Sequence, residues 1–179
     1  MHPDLKSIMI TKEELASRVA ELGAQITEDY KGKSILMVCI LRGAVVFFAD
    51  LIRHIDLDVS LDFMSVSSYG SGSSTSGAVR INKDIDKSIE GKHLIIVEDI
   101  IDSGRTLKHL KQLLSSRAPA SIKICSLLDK PSRREVDFQG DYIGFSVPNE
   151  FIVGYGLDYA EKYRNLPEVA VLKEEIFAD

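Results

Sequence analysis

His93-Leu-Ile-Ile-Val-Glu-Asp-Ile-Ile-Asp-Ser-Gly-Arg-Thr-Leu107 is the stretch whose reading decides the fold. Leu94 to Val97 is too short an apolar run for a helix, and its β-branched content suits a strand buried on both faces. Glu98 and Asp99 stand where that strand would end, and Asp102 follows three residues later. Ser103-Gly104-Arg105-Thr106 then leads into a run with Leu107, Leu110, Leu113 and Leu114 on one helical face, closed by Ala118-Pro119. The order is strand, acidic loop, helix. Gly104 admits a close backbone approach, Ser103 and Thr106 add hydroxyls, and the N–H groups that open a helix favour an anion such as phosphate. Two carboxylates just upstream suit sugar hydroxyls. A plainer alternative stays open on residue types alone: Asp102 or Ser103 as helix cap, Gly104 as turn residue, and solvated acids. The loop is neither a Walker A sequence nor a GxGxxG fingerprint.

Working outward, the same grammar recurs. Ile35 to Leu41 reads as a second buried strand, followed by Arg42-Gly43 and a helix-like Ala44 to Ile55. Arg42-Gly43 could be a tight connection only, but ligands of open parallel sheets gather at the carboxyl ends of strands. A strand over Val59 to Val66 precedes Ser67 to Gly77, a Gly/Ser-rich stretch whose Tyr69 favours a lid over an idle linker. Val79-Arg80-Ile81 reads as a returning strand. Ile122 to Leu128 is a further buried strand and delivers Asp129-Lys130-Pro131 to the same sheet edge. By residue type alone, Lys130 is a solvated loop lysine and Phe151 a core aromatic. Near the N-terminus, Thr11 and Glu14 form a capping-box pattern ahead of Leu15, Val19, Leu22 and Ile26. Toward the C-terminus, short β-like runs at Tyr142 to Val147, Phe151 to Tyr155 and Val169 to Leu172 suggest a small cap over the sheet's carboxyl edge.

Composition bounds the function. The 179 residues suffice for one domain with a real core, and a net charge of −5 with dispersed Lys and Arg, apart from Arg133-Arg134, argues against a nucleic-acid face. Cys39 and Cys125 lie inside apolar runs without motif spacing, which suits a reducing cytoplasm rather than a disulfide framework. Met1 to Ile10 lacks a signal pattern, and no apolar run approaches the ~20 residues of a membrane span.

Val97-Glu98-Asp99-Ile100-Ile101-Asp102-Ser103-Gly104-Arg105-Thr106 resembles the phosphoribosyl pyrophosphate (PRPP) signature of type I phosphoribosyltransferases. With Leu41-Arg42-Gly43, Ser68-Tyr69-Gly70, Leu128-Asp129-Lys130 and Phe151 to Tyr159 in the same order, nearly the whole chain resembles the bacterial hypoxanthine-guanine phosphoribosyltransferase family. The resemblance implies an α/β fold, a parallel sheet flanked by helices, within a single domain over 1–179. Its core would span about 35–130, with a hood from the N-terminal segment and about 131–179. It implies transfer of ribosyl phosphate from Mg2+-PRPP to N9 of a 6-oxopurine in a cytoplasmic homodimer or homotetramer.

Carried onto these positions, Glu98 and Asp99 would hold ribose hydroxyls and magnesium, and Asp102, Ser103, Gly104 and Thr106 the 5′-phosphate. Asp102 would also accept the purine N7 proton. Lys130 would donate to the 6-oxo group, Phe151 would stack on the base, and the Ile152 backbone would meet its edge. Asp158 would hold a second magnesium through water. Arg42, Gly43 and Arg164 would bind pyrophosphate, with Ser68 and Tyr69 closing over it. Arg42 and Arg105 stand where vertebrate members carry lysine, and Arg105 is left outside this set. Two other readings are a PRPP-sensing regulator that binds nucleic acid, which the acidic balance disfavours, and a guanine- or xanthine-preferring transferase.

Overall fold

The structure is a computed structural model that describes residues 1–68 and 79–178. Alternating burial builds its centre. β2 (Ile35–Leu41) and β5 (His93–Ile101) pair in parallel, with Leu36 opposite Leu94 and Val38 opposite Ile96. Successive strand residues point to opposite faces. Met37, Cys39, Ile95 and Val97 therefore pack under α1 (Lys12–Asp29) and α2 (Val45–Ile52), while Leu36, Val38, Leu94 and Ile96 pack under Leu107, Leu110 and Leu114 of α3 (Arg105–Ser115). Continuous apolar runs are needed because both faces are covered, and each fully buried Leu or Ile contributes roughly 1.5–3 kcal/mol.

β3 (Val59–Ser68) flanks β2 and carries antiparallel β4 (Val79–Lys83) at the edge; β6 (Ser121–Asp129) and β7 (Tyr142–Ser146) extend the other side in parallel. The order β4-β3-β2-β5-β6-β7 puts the topological switch between β2 and β5, where a ligand crevice opens at the strands' carboxyl ends. A second sheet, β1-β9-β8, joins β1 (Leu5–Ile10) to β9 (Val169–Leu172) and β8 (Ile152–Val153), all antiparallel. It unites the two ends of the chain as a hood. The capping box at Thr11 and Glu14 is present, and short α4 (Glu174–Phe177) follows β9.

Several expectations are corrected. Tyr142 to Val147 is not part of the cap: β7 pairs with β6, and Arg18 of α1 donates to the Ile143 and Gly144 carbonyls at 2.8 and 2.9 Å. β5 does not end before Glu98 but runs to Ile101, because β6 continues opposite it to Asp129. In the Phe151–Tyr155 run only Ile152 and Val153 are strand, since positive φ at Gly154, Tyr155 and Gly156 turns the chain back. Neither Asp102 nor Ser103 holds the N-cap position of α3. Gly104 does, at φ +82°, a conformation that costs a glycine little. β1 was not foreseen. Tyr69, Gly70 and the rest of the expected lid as far as Gly77 lie outside the described residues.

Candidate active site

Two hollows meet at Asp102. One, of about 290 Å3, is lined by Gly43, Glu98, Asp99, Asp102, Ser103, Gly104 and Thr106; the other, of about 850 Å3, is lined by Asp102, Lys130 and Phe151 together with residues of the hood and α4. The first is the switch-point crevice. The second lies between the sheet edge and the hood, so a ligand spanning both would cross Asp102.

The crevice floor is built by close backbone approach. A Cβ on Gly43 would sit 1.8 Å from Asp99 Oδ2, and one on Gly156, at φ +102°, would sit 2.2 Å from the Gly43 carbonyl oxygen. Glycine at both positions lets the hood turn rest on the loop after β2. Glu98 and Asp99 are neighbours on β5, and desolvation pushes both carboxyls up. For Glu98 the charge of Asp99 adds to the rise, whereas for Asp99 hydrogen bonds and the nearby Arg164 oppose it. A ligand cation beside the pair would favour the charged carboxylates, whose oxygens then accept from sugar hydroxyls.

Beyond it, the Ser103 hydroxyl accepts from the Arg105 N–H at 3.3 Å, and the Thr106 and Ser68 hydroxyls lie 3.5 Å apart. These polar groups and the α3 N-terminus form an anion cradle. The Asp102 carboxylate pairs with Arg133 at 3.2 Å, and its backbone carbonyl accepts from Arg134 at 2.7 Å. Arg134 also pairs with Asp129, the last residue of β6.

In the larger hollow, Lys130 donates to the Glu150 carbonyl at 2.7 Å, and burial above all draws its ammonium below the ordinary lysine range. Phe151 is half-exposed; Tyr159 meets it edge-on at 5.4 Å, and Phe177 stacks on it at 4.5 Å. Ile152 is buried in β8. Asp158 pairs with Arg164 at 3.1 Å and accepts the Glu161 N–H at 2.9 Å; Arg164 also donates to the Gly156 carbonyl at 2.8 Å. Arg42, at the end of β2, pairs with Glu161.

The fold thus brings Arg42, Gly43, Ser68, Glu98, Asp99, the Asp102–Thr106 loop, Lys130, Phe151, Ile152, Asp158 and Arg164 to one edge of the sheet, with Tyr69 outside the described residues. Sequence reasoning missed Glu161, Arg133, Arg134, Phe177 and Gly156. Two signals stood in the sequence: Arg133-Arg134, a basic pair weighed for nucleic acid alone, and Gly156, which lies within the Phe151 to Tyr159 stretch but was given no role of its own.

No three His, Cys, Asp or Glu side chains converge as a closed metal cage among the described residues. The all-oxygen Glu98–Asp99 pair, raised by burial beside an open crevice, nevertheless fits magnesium, which binds one or two carboxylates and completes its shell with water and phosphate oxygens. Asp158 keeps lone pairs for a metal-bound water beside its two contacts.

A parallel sheet with an acidic loop feeding an anion cradle at its switch point defines a class, and residues 9–160 match the phosphoribosyl transferase domain; the chain belongs to that family. The match narrows further. The chain is 54% identical over 177 residues, 99% of it and 98% of the relative, to the hypoxanthine-guanine phosphoribosyltransferase of Streptococcus thermophilus. The crystal structure of a hypoxanthine phosphoribosyltransferase from Staphylococcus aureus superposes with a TM-score of 0.97 at 49% identity, covering 100% of this chain and 97% of that one. A hypoxanthine-guanine phosphoribosyltransferase from Bacillus anthracis gives a TM-score of 0.91 at 52% identity, over 94% of this chain and 99% of that one.

Proposed function

We infer that this protein is a hypoxanthine-guanine phosphoribosyltransferase of purine salvage, which transfers the 5-phosphoribosyl group of PRPP to N9 of hypoxanthine or guanine and releases pyrophosphate. The observation that carries the reading is the meeting at Asp102 of the carboxylate-and-anion crevice with the Lys130–Phe151 hollow. The first suits a sugar phosphate and the second a planar base.

Each residue has work in that reaction. The ribose hydroxyls rest on Glu98 and Asp99, and the 5′-phosphate sits in the Asp102–Thr106 cradle. The base stacks on Phe151, touches the Ile152 backbone and takes a hydrogen bond on its 6-oxygen from Lys130, which a 6-amino group cannot accept. As the C1′–oxygen bond to pyrophosphate breaks and N9 bonds to C1′, the N7 proton passes to the Asp102 carboxylate. Arg42, the Gly43 backbone and Arg164 take up the charge that grows on pyrophosphate, and the family resemblance adds Ser68 and Tyr69 as further contacts to it. Magnesium, held by Glu98, Asp99 and, through water, Asp158, would supply further neutralisation of the leaving group.

The two buried free cysteines favour a cytoplasmic setting, and among the described residues no helix is long and apolar enough to cross a membrane. The family resemblance supports a homodimer or homotetramer. The decisive assay follows nucleotide formation from Mg2+-PRPP with hypoxanthine, guanine, xanthine and adenine. IMP and GMP should form, adenine should be refused, and Asp102→Asn should lower kcat about 100-fold or more. PRPP binding without turnover of any base would overturn the reading.

A further inference from the structure

Glu161 spends both oxygens of one carboxylate on the two arginines assigned above to the leaving group. Oε2 accepts from Arg42 at 2.8 Å, and Oε1 lies 3.4 Å from Arg164. The arginines come from different parts of the fold, Arg42 from the end of β2 and Arg164 from the loop between β8 and β9. A tight turn presents Glu161 between them. Its N–H is tied to Asp158 at 2.9 Å, Tyr159 and Lys162 pair across the turn, and Ala160 and Glu161 both adopt positive φ, an unusual conformation for residues with a Cβ.

We propose that Glu161 is a built-in stand-in for pyrophosphate: it occupies Arg42 and Arg164 when the leaving-group site is empty, and it competes for them when pyrophosphate must depart. This rests on the assignment of those arginines to the leaving group. The competition can be won from either side. Arg42 and Glu161 are both well exposed, at 72% and 66%, so their pairing is weak and screened by water. A diphosphate carries more charge and more acceptor oxygens than one carboxylate, and displaces it on arrival. The carboxylate in turn lowers the cost of separating two arginines from pyrophosphate, which favours product release.

The test compares the intact protein with Glu161→Gln, which keeps the shape and removes the charge. The Michaelis constant for PRPP and the dissociation constant of magnesium pyrophosphate, measured by titration calorimetry, should both fall about three-fold, the size of an exposed ion pair. The Michaelis constant for hypoxanthine should not move. If both pyrophosphate-side constants rise, Glu161 positions the arginines for substrate and the proposal is overturned; if neither moves, the pairing is passive and it is overturned as well. Arg42→Ala and Arg164→Gln test the underlying assignment separately. Both should weaken magnesium pyrophosphate binding, and if neither does, that assignment fails whatever Glu161→Gln shows.

Discussion

Replacing Gly43 by alanine tests how the crevice is built. The new methyl would lie 1.8 Å from Asp99 Oδ2 and 2.8 Å from its Cγ, far inside the 3.4 Å at which ordinary contact begins. Relief must come from Asp99 or from the Gly43 backbone. The backbone is pinned, because the Gly43 carbonyl is packed against Gly156 so closely that a Cβ there would come within 2.2 Å. Asp99 must therefore swing by more than 1 Å from the position it shares with Glu98, a displacement of the size that costs on the order of 100-fold in rate. Overpacking of this kind also costs about 1–3 kcal/mol of stability, so the variant should still fold. Initial rates with saturating hypoxanthine and varied PRPP, alongside a thermal melt, separate the two effects. The expected result is a loss of about 100-fold in kcat/KM for PRPP with a folded protein. A folded variant with near-normal kcat/KM would refute the view that Gly43 exists to let Asp99 approach.

Lys130→Met keeps length and removes the donor. The Michaelis constant for hypoxanthine should rise by roughly 10- to 100-fold with little change for PRPP, since a lost hydrogen bond from a charged group costs about 1.5–3 kcal/mol. Because burial draws the Lys130 ammonium below the usual lysine range, it loses its proton, and part of its donor strength, earlier as pH rises. Hypoxanthine binding should therefore begin to weaken at a lower pH than an exposed lysine would set, and loss of that feature in the Lys130→Met variant assigns the effect. Burial pushes the Cys39 thiol up to about 12 and raises that of Cys125 further in the same direction. Neither should react with iodoacetamide near pH 8 in the native protein, and both should react after denaturation, which mass spectrometry reads directly.

Some of this protein was set by the sequence alone. Ile35 to Leu41, Leu94 to Val97 and Ile122 to Leu128 are apolar without interruption, and such runs are stable only where both sheet faces are covered, so the parallel sheet and its carboxyl-edge loops were legible. The order of carboxylates, glycine and hydroxyls from Glu98 to Thr106 was equally legible, because its chemistry is local. What tertiary structure decided is what depends on distant partners. Leu5–Ile10 becomes a strand only because β9 lies beside it, and Tyr142–Ser146 leaves the hood for the main sheet because β6 offers an open edge and Arg18 reaches its carbonyls. Glu161 lies 119 residues from Arg42 and has no local pattern to mark it, and Gly156 is required only where the hood meets Gly43. Periodicity and turn chemistry act between neighbours in the chain, whereas long-range ion pairs and close backbone approaches exist only once the packed chain brings the groups within reach.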